Sequence, residues 1–123
     1  MENALHFLVV EDNKINQIVT RKILERKNYQ STMIESGYKA LDLLKVATFD
    51  AILMDINMPE IDGYETSKLI REAGITTPII ALTAFERSEV EAKIKEAGIS
   101  EVVIKPFTSE ILFEVIEKLL EPQ

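Results

Sequence analysis

The sequence predicts a three-layer α/β fold: a five-stranded parallel sheet with helices on both faces. Two observations carry this. Short apolar runs alternate five times with longer segments of helical periodicity, and such alternation gives a parallel sheet covered on both sides. The runs are almost wholly apolar and end at turn signals, as strands buried on both faces do. A length of 123 residues suits one domain with one core, so residues 1–123 read as a single unit.

Leu5 to Val10 is the first strand, ended by Glu11-Asp12-Asn13. Asn13 is placed to cap the following helix. Ile15, Ile18, Val19, Ile23 and Leu24 recur at helical spacing there, predicting one buried apolar face, and Asn28 stops the helix. Tyr29 to Ile34 carries polar Gln30, Ser31 and Thr32, which suits an edge strand. Ser36 caps a second helix through Ala40, Leu41, Leu43 and Leu44. Ala51 to Met54 is the third strand and delivers Asp55 at its end; Pro59 and Gly63 punctuate the loop before a helix carrying Tyr64, Leu69 and Ile70. Asp62-Gly63 reads as a structural turn, and Gly74 ends the helix.

Ile79 to Leu82 is the fourth strand and delivers Thr83. Ser88-Glu89-Val90-Glu91 has capping-box spacing for a helix with a thin apolar face, Val90, Ile94 and Ala97, closed by Gly98. Glu89, Glu91, Lys93, Lys95 and Glu96 read as its solvated side. Val102 to Ile104 is a short fifth strand that delivers Lys105-Pro106. The last helix, capped by Thr108 or Ser109, has Ile111, Leu112, Val115, Ile116, Leu119 and Leu120 on its apolar side. His6 reads as a core or sheet-face residue and Phe107 as packing.

The first and third strands both feed acids into loops, and the second reads as an edge. A flavodoxin-like order, 2-1-3-4-5, sets the first and third side by side at the switch point, where ligands of open α/β sheets bind beyond the carboxyl ends. Glu11, Asp12, Asp55, Thr83 and Lys105 then meet at one edge, each just past its strand. Three carboxylates together repel one another unless something cationic neutralises them. Lys105 supplies one charge, and a hard divalent cation with oxygen ligands, Mg²⁺ or Mn²⁺ in its place, supplies the rest. Asp12 and Asp55 read as direct ligands, Glu11 as acting through water, and the backbone carbonyl near Asn57 as a further ligand. A carboxylate so placed can accept a phosphoryl group, with the cation, Lys105 and the Thr83 hydroxyl on its oxygens.

Composition narrows the classes. Fourteen basic against 21 acidic residues give a net charge of −7 with no basic cluster, which disfavours a nucleic-acid partner. Without cysteine there is no disulfide, thiol nucleophile or thiolate metal site. Met1 to Ala4 lacks the start of a signal peptide, and no apolar run is long enough to span a bilayer. A soluble, cytoplasmic domain without direct membrane insertion is expected. Gly37, Gly63, Gly74 and Gly98 form no phosphate-binding loop, so the phosphoryl group must come from another protein or a small donor.

At Glu11-Asp12-Asn13, Met54-Asp55-x-x-Met58-Pro59-x-x-Asp62-Gly63, Thr83-Ala84 and Lys105-Pro106-Phe107, the chain resembles the receiver domain of two-component response regulators, over Leu5 to Leu120. The resemblance implies that Asp55 takes the phosphoryl group from a phosphohistidine of a sensor histidine kinase or histidine phosphotransfer domain. It implies that Glu11, Asp12, Asp55 and the Asn57 carbonyl serve Mg²⁺, that Lys105 binds the phosphoryl group, and that Thr83 turns toward it. It also implies a cis Lys105–Pro106 bond, and self-catalysed phosphorylation and dephosphorylation rather than conventional enzyme turnover. Glu11-Asp12-Asn13-x-x-Asn16 and Ala81-Leu82-Thr83-Ala84 look most like receivers of hybrid sensor histidine kinases, whose kinase domains are covalently linked and lie on the cytoplasmic side of the membrane. One position departs from the pattern: Val102 stands where many receivers carry a switch aromatic, so activation is expected through the fourth helix, the fifth strand and nearby loops.

Three rival readings fit the residues less well. A Mg²⁺-dependent phosphohydrolase or Toprim-type enzyme usually wants a second carboxylate two residues after the first, where this chain has Asn57. A flavodoxin-like cofactor binder would not place Glu11 and Asp12 in its phosphate loop. A pseudo-receiver, an interaction module that never takes phosphate, is disfavoured by the intact acid, threonine and lysine set.

Overall fold

The computed structural model describes residues 4–120, so Met1–Asn3, part of the stretch read against a signal peptide, lie outside the described residues. Five strands, β1 (His6–Val10), β2 (Gln30–Ile34), β3 (Ala51–Asp55), β4 (Ile79–Thr83) and β5 (Glu101–Ile104), form one parallel sheet in the order β2-β1-β3-β4-β5. This is the expected flavodoxin-like arrangement. Its register pairs Val10 with both Ile34 and Met54, and Asp55 with Leu82. β3 and β4 run one residue further than expected, so Asp55 and Thr83 are the last residues of their strands rather than the first beyond them.

Side chains alternate across the sheet and sort the helices into two layers. Phe7, Val9, Leu53, Ile80 and Val103 pack against Leu24 of α1 (Lys14–Glu25) and Leu112 and Ile116 of α5 (Ser109–Leu120). Leu8, Val10, Ile52, Met54 and Ala81 pack against α2 (Gly37–Leu44), α3 (Gly63–Glu72) and α4 (Arg87–Ala97) through residues such as Ala40, Ile70 and Ile94. β1, β3 and β4 are covered on both faces, and the weaker β2 takes the polar edge foreseen for it.

Local signals set most helix ends. Asn13 Oδ1 accepts from Asn16 N, Ser36 Oγ from Lys39 N, Asp62 Oδ1 from Glu65 N and Thr108 Oγ1 from Ile111 N, so Thr108 rather than Ser109 caps α5. Asn28 beyond α1 and Gly98 after α4 hold positive φ, which ends each helix. The Lys105–Pro106 bond is cis, as the resemblance implied.

Three helix expectations need correction. Ile15, Ile18 and Val19 do not face the core: they are 71%, 43% and 51% exposed. α1 instead turns Gln17, Thr20 and Leu24 inward, so its inner stripe begins polar and the apolar periodicity is displaced around the helix. Ile111 of α5 is likewise exposed, at 47%. α4 starts one residue earlier than Ser88, and its box is made by Glu86 and Glu89, with Glu86 N donating to Glu89 Oε1 at 2.9 Å. The thin face of α4 is as expected: only Val90, Ile94 and Ala97 are buried on it.

Candidate functional site

Three strand ends meet between the two helical layers. β1 delivers Glu11 and Asp12, and its neighbour β3 delivers Asp55; ligand atoms of the three carboxylates all lie within 4.8 Å of one another. Glu11 is 3% and Asp55 4% exposed, whereas Asp12 faces solvent. Glu11 Oε2 accepts from Asn13 N at 3.1 Å. Asn57 is exposed in the loop beyond β3, two residues past Asp55. That loop is pressed close: Gly63 N donates to Ile56 O at 2.9 Å, and a Cβ at Gly63 would meet Asp55 O at 2.6 Å. Gly63, expected only to shape a turn, therefore touches the backbone that carries the central acid.

β5 delivers the cation. Lys105 Nζ donates to Asp55 Oδ1 at 3.0 Å, and Lys105 N donates to Thr83 O at 2.7 Å. Thr83, 1% exposed, uses its hydroxyl oxygen to accept from Phe85 N at 3.2 Å, the loop-capping role expected of an ordinary threonine at that turn. Phe85 stands 52% exposed beside it, and Val102 is buried. His6 bonds Thr32 Oγ1 through Nε2 and stacks edge-on to Phe49, a sheet-face residue as read.

Burial pushes the Glu11 carboxyl above its ordinary range; the Asn13 amide opposes this, Asp55 adds to it, and Lys105 again opposes it. Two covered acids thus share one lysine. An all-oxygen donor set with surplus negative charge fits a hard divalent cation such as Mg²⁺, which Glu11, Asp12 and Asp55 would hold.

A feature the sequence reading missed flanks the acids. An open cleft of ≈ 450 Å³ is lined by Glu11 and Lys105 together with Val19, Ile23, Pro106 and Phe107. The exposed apolar side of α1 adjoins it through Val19. The signal was present in the sequence: more apolar residues on α1 than one buried stripe accommodates.

The family model of the response regulator receiver domain matches residues 7–117. The chain belongs to that family. It is 35% identical to the polar-differentiation response regulator DivK of Brucella ovis over 115 residues, covering 92% of this receiver and 94% of DivK. It is 33% identical to the sensor histidine kinase RcsC of Salmonella typhimurium over 109 residues, which is 89% of this receiver but 12% of RcsC. Among solved structures, the receiver domain of the sensor histidine kinase PA1611 from Pseudomonas aeruginosa superimposes with a TM-score of 0.87 at 33% identity, over 98% of this chain and all of that one. That structure has a magnesium ion coordinated in its active-site cleft. Receivers are modules of two-component signalling and work with histidine kinases and phosphotransfer domains. These similarities include both a short response regulator and a receiver within a kinase. Among the described residues no helix is long and apolar enough to cross a membrane.

Proposed function

We propose that this receiver is the phosphoacceptor switch of a two-component phosphorelay, with Asp55 as the acceptor. The observation that carries the reading is the Lys105–Asp55 contact beside Glu11 and Asp12. A carboxylate oxygen of Asp55 attacks the phosphorus of a phosphohistidine. The new P–O bond makes an acyl phosphate, the P–N bond breaks, and the electron pair leaves with the imidazole. The Lys105 ammonium moves from the carboxylate to a phosphoryl oxygen. The Thr83 hydroxyl, which accepts from the Phe85 amide at 3.2 Å and keeps its own proton to give, offers a second donor. Glu11, Asp12, Asp55 and the Asn57 carbonyl would hold Mg²⁺ or Mn²⁺, which would supply charge neutralisation for the phosphoryl group in transfer.

The donor is a histidine kinase or a histidine phosphotransfer domain, docked on Ile15, Ile18 and Val19 beside the cleft. Exposed apolar side chains next to an active edge are the usual mark of a protein contact. The output runs through α4 and β5. α4 buries few side chains and so shifts at low cost. Residues 1–123 act as one cytoplasmic unit in this reading, alone or joined to a kinase, without direct contact with nucleic acid or membrane.

Intact-mass analysis after incubation with acetyl phosphate tests this, with Mg²⁺ or EDTA and with Asp55→Asn. One added phosphoryl group that needs Mg²⁺ and vanishes in Asp55→Asn is expected. A folded, Mg²⁺-binding protein that takes no phosphate from either acetyl phosphate or a phosphohistidine donor would instead make it a pseudo-receiver.

A further inference from the structure

The inner stripe of α1 begins with a glutamine where the apolar pattern has no place for one. Gln17 holds the acid loop at both ends. Its backbone N donates to Asn13 O at 3.0 Å, and its side-chain Nε2 donates to Glu11 O at 2.6 Å. Between those two carbonyls lies Asp12, an exposed acid at the tip of the loop. Asn13 tightens the same turn, donating from its backbone to Glu11 Oε2 and accepting from Asn16 N. β2 fixes the loop from the other side, with Glu11 N donating to Ile34 O at 3.0 Å.

The Glu11 carbonyl and the Asp12 amide belong to one planar peptide. Whatever fixes the carbonyl therefore fixes the direction in which Asp12 leaves the chain. The backbone bond from Gln17 to Asn13 is part of the helix start and any residue supplies it. The side-chain bond to Glu11 O is particular to Gln17. An ordinary helix position would place an apolar group there and leave a carbonyl beside a buried carboxylate without a donor.

We infer that Gln17 is a positioning residue of the acid cluster: through the Glu11 carbonyl it sets the orientation of Asp12 toward Glu11 and Asp55. It touches no reacting atom. The inference rests on the proposal that these acids hold a divalent cation. Groups that orient a metal ligand without binding the metal typically cost about 10- to 100-fold in affinity when removed.

The test is a Mg²⁺ titration of the whole chain, without phosphodonor, followed by amide NMR shifts. The Asp12 amide is the direct reporter because it shares the peptide that Gln17 grips. Gln17→Met keeps length and bulk but has no donor; it is expected to shift the Asp12 amide in EDTA and to weaken Mg²⁺ binding about tenfold. Gln17→His restores a neutral donor at similar reach at pH 8 and is expected to recover most of the affinity. Should Gln17→Met fail to fold, Gln17→Asn replaces it, since its amide is one methylene short of the carbonyl; the same loss is expected.

A folded donor-less variant that binds Mg²⁺ as tightly as the wild type would overturn the positioning role, leaving Gln17 a purely structural bond. A lowered thermal midpoint with unchanged Mg²⁺ affinity has the same meaning. If the wild type itself shows no Mg²⁺-dependent shifts, the cation-binding reading falls, and the inference with it; the two failures are thus told apart by the wild-type titration.

Discussion

Lys105 reaches Asp55 across 3.0 Å from a strand two places away in the sheet, with β4 between them. The side chain of Asp55 is 5% exposed and that of Lys105 31%, so the acid is nearly dry while its counter-ion keeps one side in water. Removing the cation leaves Asp55 beside Glu11 with no fixed positive charge. Lys105→Met is expected to lose about 1.5–3 kcal/mol, the range for a hydrogen bond to a charged group. It also slows phosphorylation from acetyl phosphate. Chemical denaturation in EDTA and intact-mass time courses check the two effects. Unchanged values in both would remove Lys105 from the site.

Glu11 gives a pH dependence of definite sign. Its folded-state pKa lies above the ordinary value, so protonation is favoured in the fold. The stability this contributes is fully present below the unfolded value and is lost as pH rises through the folded one. Glu11→Gln is accordingly expected to raise the metal-free melting midpoint at pH 7, with the advantage shrinking at acid pH. Mg²⁺ requires the carboxylate, so the rise in midpoint that Mg²⁺ gives the wild type should diminish on acidification and be largely lost in the variant. Thermal melts at several pH values, with and without Mg²⁺, read both.

Gly63 should tolerate no side chain. A Cβ there would sit 2.6 Å from Asp55 O and 2.8 Å from Ile56 Cα, and both are backbone that cannot swing aside. Gly63→Ala is expected to cost about 1–3 kcal/mol, as overpacking does. Because the displaced backbone carries Asp55, Mg²⁺ affinity should fall as well. A stable variant with wild-type affinity would show that the β3–α3 loop yields freely.

The exposed side of α1 separates donor recognition from chemistry. Ile18→Glu leaves the core untouched, since that side chain is already 43% exposed, and the melting midpoint should stay within about 0.5 kcal/mol of wild type in free-energy terms. Transfer from a phosphorylated histidine domain should drop at least tenfold, while phosphorylation by acetyl phosphate is unchanged. Equal loss with both donors would place the defect in the site rather than on a docking face.

Much of this was legible beforehand because the signals are local. Strand runs, caps at Asn13 and Ser36, and the positive-φ stop at Gly98 depend on a few neighbouring residues. The strand order followed from the acids at Glu11 and Asp55 and the polar content of Gln30–Thr32. What the sequence hid is rotational. Periodicity finds an apolar stripe on α1 but does not say that the stripe looks outward, because the inward positions include Gln17, which answers to a loop carbonyl, and the buried Thr20 rather than a run of apolar side chains. Gly63 was similarly read as a turn, since close approach of two backbones leaves no mark beyond the glycine itself. The sequence points to Ser88 as the cap of α4, because serine is a commoner cap than glutamate, which holds that place at Glu86.

The place of β1 in the sheet bears on how the chain is made. Phe7 to Val10 pair with β2 on one side and with Ala51–Met54 on the other. On a ribosome the first partner emerges soon after β1, but the second only after all of α2 has been synthesised. Until then the growing polypeptide carries a fully apolar strand with one open edge, a template for pairing with the wrong chain. A translational pause placed between α2 and β3 should therefore lower the soluble yield more than the same pause placed after β5, when every inner strand already has both of its neighbours.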